Sequence, residues 1–162
     1  MKFEEYISNI KFKFVQPNTS FIQLSVREQI INTLLPYKED EYRDLFYELC
    51  NIPKMSTFAI ATIINMAVSE LKEDETFVNV GVWCGFTFLS GLLNNPTKKC
   101  IGIDNFSEFD FSEGNYPINL SPKKEFTNNF ENCKSENHFF YNMDYINYFN
   151  NEPHYFVCQE QF

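Results

Sequence analysis

The spacing of apolar positions changes at Thr76. Before it, Ile60, Ile64, Ala67 and Leu71 recur as on one helical face, and Asn51-Ile52-Pro53-Lys54-Met55-Ser56-Thr57 offers hydroxyl caps, so a helix over about 57–72 is expected. After it, Thr76-Phe77-Val78-Asn79-Val80 is a compact run closed by Gly81, the pattern of a strand covered on both faces. The stretch Phe86 to Leu93 has helix length and stops at Asn94-Asn95-Pro96. Cys100 to Asp104 reads as a second strand, Ser121-Pro122 as the cap and first residue of a helix reaching Asn132, and His138 to Met143 as a third strand. Strand, helix and strand within about 30 residues make a βαβ unit, whose crossover is right-handed in nearly all folds. The expected fold class is α/β, with a parallel sheet.

The flanks are less regular. Phe12, Phe14 and Val15 suggest a short extended piece, Gln16 to Ser20 a turn, and 25–35 and 40–50 two helices parted by Pro36 and the acids Glu39, Asp40 and Glu41. These elements read as a lid or outer layer. Residues 105–121 have no periodicity and form a long loop. Past the third strand, Tyr145 to Phe149 is short and aromatic, and His154-Tyr155-Phe156-Val157-Cys158 reads as a fourth strand.

Composition narrows the partners. Lys+Arg of 13 against Asp+Glu of 22 gives a net charge of −9, which lacks the clustered cations that nucleic acid or an anionic membrane surface requires. Five cysteines at wide, irregular spacings, no C-x-x-C pair and only two histidines disfavour both a zinc site and a disulfide framework. The acidic N-terminus differs from a signal peptide and no apolar run approaches a membrane span, so a cytoplasmic protein is expected. The high phenylalanine count, 19, with alanine only at Ala59, Ala61 and Ala67, reads as codon drift rather than as an aromatic binding surface.

Parallel sheets bind ligands beyond the carboxyl ends of their strands. The residues there are Gly81-Val82-Trp83-Cys84-Gly85, Asp104-Asn105 and Asp144. A G-x-x-x-G turn from strand to helix lets a ligand approach the backbone closely, and the helix behind it presents unpaired N–H groups. Asp104 lies 23 residues after Gly81, the distance from which an acid on the second strand accepts hydrogen bonds from both hydroxyls of a ribose. Together these elements predict a nucleoside pocket. A dinucleotide site normally carries G-x-G-x-x-G; Trp83 stands where its second glycine would lie, and crowds a pyrophosphate. A cofactor without phosphate, such as S-adenosyl-L-methionine, does not need that clearance, and a nicotinamide-dependent oxidoreductase is disfavoured.

The stretch from Ile52 to Phe109 resembles the class I S-adenosylmethionine-dependent methyltransferases, in particular a small bacterial group whose glycine turn reads like VEIGVxxGxST and whose second strand reads like IGIDxF. The resemblance covers about 58 residues and implies a Rossmann-like sheet. It implies that Gly81, Val82, Trp83 and Gly85 surround the methionine moiety, that Asp104 binds the ribose with Asn105 alongside the adenine, and that Asp144 faces the adenine amino group. The acid that usually precedes the turn by two positions is Asn79 here, which keeps a hydrogen-bonding side chain without the charge. The acceptor of the methyl group is expected to be a small molecule, such as a sugar or hydroxyl compound.

The family's sheet has seven strands, and this chain reaches at most a fourth. The expected organisation is therefore a helical segment over 1–74 and the N-terminal half of a Rossmann-like cofactor-binding domain over 75–162, with three to four strands: a truncated methyltransferase domain. The alternative is a non-catalytic nucleoside-binding remnant or interaction module. An apolar strand over 76–80 with an open edge needs cover, from 154–158, a second copy or a partner. Other features carry less. Met55-Ser56-Thr57 either caps its helix or closes over the cofactor's carboxylate; Glu108, Asp110 and Glu113 form a solvated acidic loop in preference to a metal site. Trp83 either wedges against the core or flanks a ligand, Cys84 has no activating neighbour in sequence, and His138 and His154 receive no role.

Overall fold

The computed structural model describes residues 11–12, 33–34, 45–54, 56, 58–107 and 121–151. A two-stranded antiparallel ribbon pairs β1 (Lys11–Phe12) with β2 (Thr33–Leu34). The helix expected over 25–35 therefore does not include its last residues. Helical spacing is local, whereas β2 takes its backbone partners from a strand more than twenty residues away, which no local pattern reports. Leu45 and Phe46 are helical, inside the helix expected over 40–50, and a 3-10 turn over Leu49–Asn51 runs one residue past its expected end.

The main body begins at α1 (Phe58–Ser69) and continues through β3 (Phe77–Val80), α2 (Phe86–Leu92), β4 (Cys100–Ile103), α3 (Pro122–Cys133), β5 (His138–Tyr141) and α4 (Tyr145–Asn151). Strands β3, β4 and β5 form a parallel sheet in that order, with Val80 opposite Ile103 and Ile103 opposite Tyr141, so all three end level. This is a partial α/β, Rossmann-like arrangement: three parallel strands with helices against them. The fourth strand expected at 154–158 lies outside the described residues, as do Met55, Thr57, Glu108, Asp110, Glu113 and His154.

Side chains alternate along each strand and sort the core into two parts. Phe77, Cys100 and Phe140 point to the face that carries α1, α2 and α3, where Phe88, Phe126 and Phe130 stack among them. Val78, Ile101, Ile103 and Tyr141 point to the other face and meet Tyr148 and Phe149 of α4. The short aromatic stretch after the third strand is thus a helix that covers the second face of β4. Among the described residues β4 is the strand buried throughout, while β3 is half-buried and Val80 is 48% exposed. The pattern that predicted double cover for β3 belongs to the central strand instead, because β3 is the edge of the three.

Helix α1 buries Phe58, Ala61, Thr62, Asn65 and Val68, with Ile60 37% exposed, so the apolar stripe expected from Ile60 onwards is rotated. The reason is polar. Asn65 Nδ2 donates to the carbonyls of Ser90 (2.8 Å) and Leu93 (2.7 Å), which satisfies the end of α2. A buried asparagine that caps a neighbouring helix defines the contact face better than an isoleucine does. Asn95 extends the network, donating to the carbonyl of Gly91 at 2.9 Å and accepting from His138 Nε2 at 3.1 Å.

Candidate functional site

Three parallel strands that end level leave a crevice beyond their carboxyl ends, because each chain turns away there to enter a helix or loop. In this protein the crevice is a cavity of about 580 Å³. That volume lies in the range of small-molecule pockets. Its walls come from the end of β3 (Val80, Gly81, Trp83), the end of β4 (Ile103 to Ser107), the start of α3 (Ser121, Pro122, Lys123) and the turn after β5 (Met143, Asp144, Tyr145).

The Gly81–Gly85 turn is built by alternation. Val82 and Cys84 are buried in the core, whereas Gly81 and Trp83 lie on the cavity wall. Three of the five residues have positive φ: 78° at Gly81, 48° at Trp83 and 103° at Gly85. A Cβ at Gly85 would come within 2.9 Å of Leu89 and Phe126, so that glycine is required by both backbone and packing. A Cβ at Gly81 would meet nothing within 4 Å. The space over Gly81 is the open side of the cavity, where a ligand can lie against bare backbone.

Asp104 organises this wall. Its Oδ2 accepts from the N–H of Trp83 at 2.8 Å and its Oδ1 from the N–H of Phe106 at 2.7 Å. Trp83 and Phe106 both have φ of 48°, a conformation that is strained for a bulky residue. One carboxylate therefore holds two aromatic residues in left-handed backbone, one on each side of the strand end. A carboxylate offers about four lone-pair positions, so two remain for a diol after both N–H groups are bound. The sequence reading found this acid by its spacing but had no signal for the clamp.

The remaining candidates fall into place unevenly. Asn105 is exposed on the cavity wall, its Oδ1 bound by the N–H of Ser107 at 2.9 Å. Asp144 lines the cavity and caps α4, with Oδ1 accepting from Ile146 N–H at 2.8 Å. Asn79 does not line the cavity: its Oδ1 accepts from Thr87 Oγ1 at 3.1 Å and its Nδ2 faces the Gly81 carbonyl at 3.4 Å, so it braces the turn against α2. Val82 can contribute only backbone, since its side chain is in the core. Trp83 packs against the core cluster, the first of its two alternatives, and also lines the cavity.

Lys123 escaped the sequence reading, because a lysine early in a helix looks like any solvated charge. It stands on the wall, and with the Asn142 carboxamide oriented so that Nδ2 donates to the Asp104 carbonyl (3.3 Å), Oδ1 accepts from Lys123 Nζ at 2.9 Å. This short chain ties the start of α3 to the ends of β4 and β5.

Nucleophilic chemistry at the turn is disfavoured by burial. Desolvation, reinforced by the Glu125 carboxylate, pushes the Cys84 thiol up to about 12, and desolvation alone does the same at Cys100. Cys84, Cys100 and Cys133 are free. His138 sits at the opposite end of the sheet, where it accepts from Ser135 N–H at Nδ1 (3.0 Å) and bonds the Asn95 carbonyl through Nε2. Among the described residues no group of three or more His, Cys, Asp or Glu could hold a metal ion, and no helix is long and apolar enough to cross a membrane.

Fold and cavity together define a partial parallel α/β arrangement with an open cleft at its strand ends. Comparison with protein-family models, with curated proteins and with solved structures gives no match.

Proposed function

We propose that this chain binds S-adenosylmethionine and belongs to a methyltransferase that acts on a small acceptor, such as a sugar or hydroxyl compound. The observation that carries the reading is the Asp104 carboxylate, joined by a 2.8 Å hydrogen bond to a glycine turn whose first residue leaves open space above its backbone. A diol at Asp104 and a chain lying over Gly81 are what a nucleoside with a 5′ substituent requires. The cavity is large enough for such a ligand, and the resemblance of Ile52 to Phe109 to the class I methyltransferases names it. Trp83 in place of a second glycine argues against a pyrophosphate, and so against a dinucleotide.

When bound, S-adenosylmethionine supplies an electrophilic methyl group on a sulfonium. The acceptor's nucleophilic atom forms the bond to that carbon, the electron pair of the broken C–S bond stays on sulfur, and the acceptor's proton passes to solvent. Transfer of this kind depends chiefly on alignment, so the task of the residues described is to hold. Asp104 orients the ribose, the Gly81–Gly85 backbone supports the 5′ chain, and Asn105 and Asp144 border the base. The thiol of Cys84, kept protonated by burial, stays out of the reaction.

Calorimetry with S-adenosylmethionine, S-adenosylhomocysteine and NAD tests the assignment. Both sulfur ligands should bind and NAD should bind far more weakly; Asp104→Asn should weaken both sulfur ligands about tenfold or more, the loss of one charge-assisted hydrogen bond. If neither sulfur ligand binds, the cofactor assignment fails. Transfer of label from methyl-labelled cofactor to a panel of small hydroxyl compounds then separates an enzyme from a nucleoside-binding module.

A further inference from the structure

We propose that Trp83 makes the cavity favour a positively charged sulfonium ligand over the neutral thioether that remains after methyl transfer. The inference rests on the S-adenosylmethionine reading and adds to it a residue that sets specificity.

Three observations converge on Trp83. The first is strain: it is one of only three non-glycine residues with positive φ among those described, with Asn94 and Phe106. Asparagine tolerates that backbone, but tryptophan does not, and such strain persists only where the surroundings hold it. The surroundings here are the Asp104 carboxylate on its N–H and the core on its side chain.

The second is position. The Trp83 amide donates at 2.8 Å to the Asp104 carboxylate assigned to the ribose, and Trp83 itself lines the cavity. A sulfur attached at C5′ of a ribose held there is one carbon from the sugar ring, which brings it within reach of an indole on the adjoining residue.

The third is charge. Among the described residues the wall carries the carboxylates of Asp104 and Asp144 against one ammonium, that of Lys123, which is directed at Asn142 Oδ1. Surplus negative charge on that wall and the indole of Trp83 attract a cation by two mechanisms, and tryptophan is the best of the aromatic partners. The thioether, which has no charge, gains from neither. Methyl transfer therefore removes the attraction along with the methyl group and favours release of the product.

The test compares the intact protein with Trp83→Asn, which suits left-handed backbone and removes the ring, and with Trp83→Phe, which keeps a weaker aromatic face. Dissociation constants for S-adenosylmethionine and S-adenosylhomocysteine are measured by calorimetry on each. The ratio of affinities, sulfonium over thioether, should fall about tenfold in Trp83→Asn and recover in part in Trp83→Phe. Because Trp83 is the chain's single tryptophan, its fluorescence should also change more with the sulfonium than with the thioether. An unchanged ratio, with both ligands weakened alike, overturns the inference and leaves the cofactor assignment standing. Failure of the wild type to bind either ligand overturns both.

Discussion

Replacing Asp104 with alanine removes a single carboxylate and deprives two backbone donors of their acceptors, at 2.8 Å for Trp83 and 2.7 Å for Phe106. A hydrogen bond to an ionised group contributes about 1.5–3 kcal/mol. Asp104 is half-buried, so water competes for both donors and the lower end applies to each. Part of the loss is returned, because Phe106 is freed from left-handed backbone that costs roughly 1–2 kcal/mol per residue, while core packing keeps Trp83 in its turn. The net destabilisation expected is about 1–2 kcal/mol. A solvated turn acid, in contrast, stays within about 0.5 kcal/mol of wild type when replaced. Urea unfolding distinguishes the two: with a slope of about 2 kcal/mol per molar, the midpoint should fall by roughly 0.5–1 M at unchanged slope. Asp104→Asn should not rescue it, because one amide face turns a donor toward a donor. A midpoint for Asp104→Ala within about 0.2 M of wild type, on the same scale, refutes the clamp and returns Asp104 to an ordinary turn acid.

Two further outcomes follow from the packing. A Cβ at Gly102 would lie 2.8–3.1 Å from the Phe88 ring, which Phe77, Phe126 and Phe130 enclose, so Gly102→Ala should destabilise by about 1–3 kcal/mol in the same unfolding assay. Stability equal to wild type would mean that the ring has room to move. The second outcome concerns pH: desolvation holds His138 below its ordinary 6.5 despite the opposing bond to the Asn95 carbonyl, and its Nδ1 is already an acceptor for Ser135 N–H. The unfolded chain thus binds this proton more tightly, so the stability is fully present above pH 6.5 and is lost as pH falls through the folded value. Unfolding between pH 7.5 and 5.5 should show a steeper loss in wild type than in His138→Gln, and parallel curves would count against the neutral, doubly bonded imidazole.

Much of the main body was legible because its signals are local. Helix α3 starts at Pro122 with Ser121 in extended backbone before it, as the Ser-Pro pair implies, and β4 matches the run from Cys100. The rotated face of α1 was not legible. Asn65 is polar, and only the arrival of α2's last carbonyls makes it a core residue. Helix α4 was missed for a similar reason: Tyr145–Asn151 has little helical patterning, and Tyr148 becomes buried only against Ile101 and Ile103 of the sheet.

The same division runs through the site. From the sequence alone came the order of strands and helices, the glycine turn and the acid 23 residues beyond it, because caps, turn residues and apolar period act over a few neighbouring positions. The tertiary structure decided what that acid touches. Parallel pairing of Val80 with Ile103 sets the two strand ends side by side, and only then can one carboxylate reach both Trp83 and Phe106. It also brought Lys123 to the wall and joined it to Asn142, from the start of one helix and the end of another strand. Contacts of this kind depend on sheet register, and register is a relation between segments that neither segment carries by itself.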